Sequence, residues 1–339
     1  VTERAAALDA FLAAAGWADA ARHPLPGDAS FRRYTRLKRS AGREPATAMV
    51  MDAPPPREDV RPFLAVARHL SAMEFSAPCI LAEDSTEGFL LLEDLGDATY
   101  TRELAAGADE AALYSLATDL LIALHRRPDA NAAELPSYDD ERLLAEAALL
   151  VDWYIPAVTG RALADAARDD YLGLWRNAFP VARSVPDTLI LRDYHVDNLM
   201  VLPGRAGIAA CGLLDFQDAV IGSIAYDLVS LLEDARRDLA PGLAEAMTAR
   251  YLAAFPALDP AGLRAAYAVL GAQRNAKILG IFTRLCRRDG KPHYLRHIPR
   301  VWRLLEGDLR HPALADLDAW FGRNLPPALR RIPDQGRAA

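Results

Sequence analysis

The sequence predicts an α+β fold of two lobes: a small antiparallel-sheet N-lobe over residues 1–93 and a larger, mainly helical C-lobe over 94–339. Three observations carry this. Short apolar strand patterns crowd the first 93 residues, helical apolar spacing dominates after them, and 339 residues suffice for about two compact units. Such a length buries a sizeable core without disulfides or a structural metal.

Residues 3–15 carry a helical pattern, and LPGDASFRRYTRLKR places two strand-like arms around a small-residue turn at 27–30. ATAMVM (46–51) reads as a third strand, closed by Asp52 and the prolines at 54–56. A helix over 58–73 precedes two further strands, PCILAE and GFLLLE, which bracket a turn at Asp84–Gly88. Beyond Glu93-Asp94-Leu95-Gly96, helices are expected over 109–126, 139–151, 162–178, 223–236, 240–254, 260–286, 295–309 and 313–322. One β-hairpin insert, DTLILRDYHVDNLMVLPGRAGIAACGLLDFQDA, interrupts them.

Composition excludes several classes. At 52% hydrophobic and 25% charged residues the chain is neither disordered nor collagen-like. A net charge of −7 argues against a surface built to bind nucleic acid. No apolar run is long enough to span a membrane, and the first residues read as an amphipathic helix rather than a signal peptide. Cys79, Cys211 and Cys286 are odd in number and far apart, which fits buried free thiols in a reducing cytoplasm. A cytoplasmic monomer is expected. Of 39 basic residues only Lys38, Lys277 and Lys291 are lysines, so any role that needs a lysine has three candidates.

The densest chemistry lies in Leu191-Arg192-Asp193-Tyr194-His195-Val196-Asp197-Asn198, followed by Leu213-Leu214-Asp215-Phe216. Phosphoryl transfer needs a carboxylate to receive or orient a hydroxyl proton, together with oxygen ligands for Mg²⁺ on the nucleotide phosphates. An Asp, an Asn five residues later and an Asp closing the next apolar strand supply that set, with a hairpin bringing Asn198 and Asp215 to one edge. A turn at Gly27-Asp28-Ala29-Ser30-Phe31 lets backbone N–H groups approach phosphate oxygens, and Ser30 adds a hydroxyl. No G-x4-G-K-[ST] occurs, so a P-loop mechanism is excluded.

On these motifs the chain resembles the protein-kinase-like superfamily, and within it the aminoglycoside phosphotransferase and choline kinase branch. The resemblance covers nearly the whole chain and implies an ATP- and Mg²⁺-dependent small-molecule kinase. It implies Asp193 as catalytic base, Asn198 and Asp215 as Mg²⁺ ligands, and His195 near the transferring phosphate. It further implies adenine reading by the backbone of Glu93 and Leu95, a structural His125, and an Asp227 that ties down the catalytic loop. Asp218 is placed either in the metal shell or in a surface role. The sequence departs from the pattern at Leu191, where relatives carry His, and in the third strand, which lacks the phosphate-pairing lysine. Arg32 or Arg33 is expected to substitute, because a guanidinium fork suits phosphate oxygens.

Residues 273–310 hold ten basic and three acidic side chains, which favours a neutral or anionic acceptor over polycationic aminoglycosides. The words GDASFRRY, LRDYHVDNLM and RNAKILGIFTRLCRRDGKPHYL resemble bacterial anomeric amino-sugar kinases of peptidoglycan recycling. That resemblance implies transfer to C1 of N-acetylmuramate and N-acetylglucosamine. Its lactyl carboxylate could pair with Arg236, Arg274, Arg284, Arg288 or Lys291. Another small acceptor (an aminoglycoside, choline, homoserine or hydroxylysine) and a non-catalytic nucleotide-binding module are the alternatives. Gly222 follows Asp215 too soon for a long segment that would dock a polypeptide.

Overall fold

A computed structural model describes residues 3–27, 31–40, 46–132 and 134–334. The chain forms two compact units, Val1–Asp109 with Val196–Ala219, and Glu110–His195 with Val220–Ala339.

The first unit opens with helix α1 (Glu3–Ala14), followed by strands β1 (Ala21–Pro24), β2 (Arg33–Lys38) and β3 (Thr47–Asp52). Helix α2 (Arg61–Ala72) then precedes β4 (Ile80–Asp84) and β5 (Phe89–Leu92), as the apolar spacing predicts. The five strands pair antiparallel in the order β1-β2-β3-β5-β4. Side chains alternate between the two faces of a strand. Leu37, Ala48, Val50 and Leu91 therefore pack with Leu12 of α1 on one face. Their neighbours Tyr34, Arg36, Met49 and Leu92 line a cavity on the other. A short helix, α3 (Tyr100–Ala105), follows, with the Thr99 hydroxyl accepting the Arg102 N–H at 3.2 Å. Its six residues are too few to show a helical period in sequence.

The second unit begins with α4 (Glu110–His125) and α5 (Asp140–Leu149), the latter capped by the Asp139 carboxylate. A π-helical turn, Leu150–Tyr154, carries the helix on into α6 (Ile155–Thr159), beyond the expected end at 151. Helix α7 (Asp165–Ala182) leads to β6 (Asp187–Ile190). The chain then returns to the first unit for the hairpin β7 (Leu199–Val201) and β8 (Cys211–Leu213). Bridges Ser76↔Gly212 and Thr99↔Met200 bind this hairpin to the sheet unit. They explain why residues 94–109 and the hairpin group with the first unit, whereas the sequence boundary falls at 93/94.

Strand β9 (Val220–Ser223) pairs with β6 where the sequence suggested the start of a helix at 223. Helices α8 (Tyr226–Leu232), α9 (Leu243–Ala254), α10 (Pro260–Arg287), α11 (Ile298–Asp308) and α12 (Ala315–Asn324) complete the unit. Helix α10 is its buried axis. A Cβ at Gly280 would lie 2.3 Å from the Leu149 carbonyl carbon, so only glycine permits this approach of α10 to the end of α5.

Among the described residues no helix is long and apolar enough to cross a membrane. Cys211 and Cys286 are buried free thiols, but Cys79 is exposed, which corrects the expectation that all three are buried. Cys79 lies just before β4, outside the packed face.

Candidate active site

A cavity of about 500 Å³ opens in the first unit. Its apolar walls include Met49, Leu92, Met200 and Leu214, and its polar end holds Arg32, Tyr34, Asn198 and Asp215. Glu93, Leu95 and Gly96 form part of the rim. The Glu93 N–H donates to the Cys79 carbonyl at 2.8 Å, so only the Glu93 carbonyl remains for an incoming base. Its carboxylate is engaged too, since it pairs with Arg205 and accepts the Cys79 N–H at 3.2 Å.

The strand period separates the two arginines. Arg32, Tyr34 and Arg36 share the cavity face, while Arg33 is exposed and absent from the lining. Arg32 lies 3.6 Å from Asp215 and 3.7 Å from Glu58, with 14% of its side chain exposed. Glu58 also accepts the Phe31 N–H at 2.9 Å, which ties the start of the 31–40 segment to the approach to α2. Phe31 itself is exposed, under the Arg57 guanidinium. Gly27 has open space where a Cβ would stand. Asp28, Ala29 and Ser30 lie outside the described residues. Burial pushes the Tyr34 phenol up to about 12, despite the opposing Arg32 charge, so it stays a neutral hydroxyl beside Asp215. Arg36 is held by Asp94 at 2.8 Å and Asp97 at 2.8 Å, which fixes the segment after Glu93. Sequence reasoning missed Tyr34, Arg36 and Glu58; counting in twos from Arg32 would have found the first two.

Asn198 and Asp215 sit together because β7 and β8 pair in register: Leu199 opposes Leu213, and the Leu214 N–H donates to the Asn198 carbonyl at 2.9 Å. Asp215 has a left-handed backbone, φ 57°, which costs a non-glycine residue about 1–2 kcal/mol. The Gln217 amide donates to its Oδ1 at 2.9 Å. One carboxylate and one amide oxygen suit a hard cation that completes its shell with phosphate oxygens and water, as Mg²⁺ does. Among the described residues no cluster of three His, Cys, Asp or Glu could hold a metal alone. Asp218 is exposed.

In the second unit Asp193 stands three residues after the end of β6. The Asp227 carboxylate accepts the Leu191 and Arg192 N–H groups at 2.6 and 2.9 Å, and the Ser230 hydroxyl donates to the Arg192 carbonyl at 3.1 Å. The expected tie between Asp227 and this loop is therefore present. Burial lifts the Asp227 carboxyl to about 7, opposed by those two N–H donors. Burial pushes Asp193 up as well, but Lys277, then His195, Arg192 and Arg274, hold its carboxyl below the usual range. His195 is buried, and burial and the Arg236 charge lower its imidazole from the ordinary value. His125 is structural: its Nδ1 lies 2.6 Å from the Tyr251 hydroxyl in the core.

The acceptor candidates separate in space. Arg274 is buried and donates to the Glu233 carbonyl at 3.3 Å, and Arg236 lies 3.7 Å from Asp234. Both act on the charge of His195, whereas Arg284 stands ten residues along α10 from Arg274, about 15 Å at the helical rise. Lys291 lies beyond the end of α10, and Arg288 pairs with Asp289 at 2.7 Å. Nor is the 273–310 stretch an uncompensated basic surface. Glu146 pairs with Lys277, and Asp238 pairs with both Arg300 and Arg303.

Residues 22–266 match the Phosphotransferase enzyme family. The N-acetylmuramate/N-acetylglucosamine kinase of Caulobacter vibrioides is 40% identical over 97% of this chain and 99% of its own. The protein of the same name from Pseudomonas aeruginosa is 39% identical over 91% of each chain. Among solved structures, a choline/ethanolamine kinase family protein from Mesorhizobium loti covers 97% of this chain and 98% of its own, with a TM-score of 0.61 at 14% identity. The GDP complex of aminoglycoside 2'-phosphotransferase-IIIa covers 91% and 98%, with a TM-score of 0.59 at 17% identity. These likenesses establish the protein-kinase-like fold, and with the family match and the two bacterial kinases they show that the chain belongs to the phosphotransferase enzyme family.

Proposed function

We propose that this protein transfers the γ-phosphoryl group of ATP to the anomeric C1 hydroxyl of N-acetylmuramate and N-acetylglucosamine. The observation that carries the reading is the convergence of Arg32, Asn198 and Asp215 at the polar end of an otherwise apolar cavity. The apolar walls suit a base, with the Glu93 carbonyl and the Leu95 amide as its edge partners. Arg32, oriented by Glu58, takes the place of the missing strand lysine against the phosphates. Asn198 and Asp215 would hold Mg²⁺, which when bound neutralises charge on the phosphate oxygens. Asp193, ionised at neutral pH, accepts the proton of the acceptor hydroxyl as its oxygen bonds to phosphorus and ADP departs.

The substrate class rests on the two bacterial kinases of that name and their coverage of the chain. An ADP-release assay over amino sugars, aminoglycosides, choline and homoserine tests it. The expected result is turnover with N-acetylmuramate and N-acetylglucosamine at least tenfold above the rest. Preferential turnover of an aminoglycoside or choline would overturn the substrate assignment, and ATP binding without turnover on any acceptor would overturn the kinase itself. Peptidoglycan recycling in the cytoplasm, by a monomer, is the setting this activity fits.

A further inference from the structure

The residue before Asp193 is strained. Arg192 has φ 67°, a left-handed conformation that costs a side-chain-bearing residue about 1–2 kcal/mol. Backbone bonds to Asp227 and Ser230 hold it on one side. On the other its guanidinium lies 5.4 Å from the Tyr138 ring centre and pairs with Glu146 of α5.

Glu146 has further partners. Lys277 of α10 pairs with it at 2.9 Å, the Tyr138 hydroxyl donates to it, and the Gln273 amide lies 3.4 Å away. Its side chain is only 15% exposed, and those of Lys277 and Arg192 are 13% and 18% exposed. One carboxylate thus compensates two nearly buried cations, and the surplus positive charge acts on Asp193. The backbone sets this geometry. Gly280 lies one turn after Lys277 and Leu149 one turn after Glu146, and their close approach brings the two charged side chains together.

We propose that Glu146 is the positioning residue of the catalytic loop, fixing Arg192 in its left-handed conformation and tying it to Lys277 of α10, so that the Asp193 carboxylate next in the chain is held in place for the acceptor hydroxyl. Neither Glu146 nor Lys277 belongs to the motif that marks the loop in sequence. Removing one partner of a buried ion pair strands the others, so the three act as a unit. The inference rests on the reading of Asp193 as the base.

The test compares Glu146→Gln, Lys277→Met, their double variant and Arg192→Gly by steady-state kinetics with N-acetylglucosamine. Arg192→Gly adopts φ 67° without strain, so it removes the tether to Glu146 while sparing the backbone. Each variant is expected to lose about 10²-fold in kcat, the scale of a small misplacement of a catalytic group. The KM for ATP should stay within about twofold, because the nucleotide cavity is lined by the other unit. The double variant should be no slower than the slower single one, and Lys277→Arg should recover most of the loss. Wild-type kcat in Arg192→Gly, or losses that multiply in the double variant, would overturn the proposal. So would a parallel fall in kcat, ATP affinity and thermal midpoint in Glu146→Gln, which marks a merely structural role. Asp193→Asn is the control: if it turns over normally the base assignment fails, whereas an inactive Asp193→Asn beside an unaffected Glu146→Gln refutes only the positioning role.

Discussion

The two units treat charge in opposite ways. In the first, Asp215 exposes 43% of its side chain, and Arg32 stands 3.6 Å from it, beyond a direct hydrogen bond. In the second, the loop that carries Asp193 is held by groups that already have partners: Asp227 on the loop backbone, and Glu146 on Arg192 and Lys277. On the proposed function the first arrangement is completed by MgATP, whereas the second is assembled by folding. Lesions in the first unit should therefore be relieved by raising MgATP, and lesions in the second should not.

The largest effect is expected at Asp193. Asp193→Asn should lower kcat by about 10²–10⁴ with little change in ATP affinity, as single-turnover and nucleotide-titration experiments would show. Asp215→Asn should cost about 10²-fold at low Mg²⁺, because a bound cation supplies several kcal/mol of charge stabilisation. Excess Mg²⁺ should recover part of that loss, and a Mg²⁺ titration that leaves the deficit constant would place Asp215 with the buried set instead. Arg32→Met should raise the KM for ATP roughly 10- to 100-fold, the equivalent of one charged hydrogen bond. Arg33→Met should change it less than about twofold. Equal effects would show that strand alternation does not select the phosphate arginine.

The smallest effect concerns stability in the second unit. Burial lowers the His125 imidazole to about 3 from its ordinary 6.5. The unfolded chain takes up this proton near pH 6.5 and the folded chain near 3. The stability contributed by the neutral form is thus complete above 6.5 and is lost as pH falls, by up to about 1.4 kcal/mol per unit. His125→Gln should flatten that slope in denaturant titrations from pH 7 to 5. An unchanged slope would mean the imidazole is not a source of it.

What sequence reasoning reached, and what it missed, divides along the same line. Asp193, Asn198 and Asp215 are legible because a single continuous segment carries them, and the β7–β8 register follows from its spacing. The five strands were legible because alternation over four to six residues is a local property. Glu146 was not, since its partners Tyr138, Arg192 and Lys277 come from distant parts of the chain. The partners of Lys277, Arg300 and Arg303 in the basic stretch over 273–310 were hidden for the same reason, because Glu146 and Asp238 lie outside it in sequence. The β9 strand was lost to the helix pattern beside it, since four residues read as a strand only once β6 is known to pair with them.

The central claim is transfer to the anomeric hydroxyl of an amino sugar, and phosphorus NMR of the reaction mixture tests it most directly. With ATP, Mg²⁺ and N-acetylglucosamine, the account predicts a new phosphomonoester resonance coupled to the anomeric proton, growing with ADP and absent with Asp193→Asn. A product phosphorylated at another hydroxyl, or ADP accumulating together with inorganic phosphate and without sugar phosphate, would contradict it.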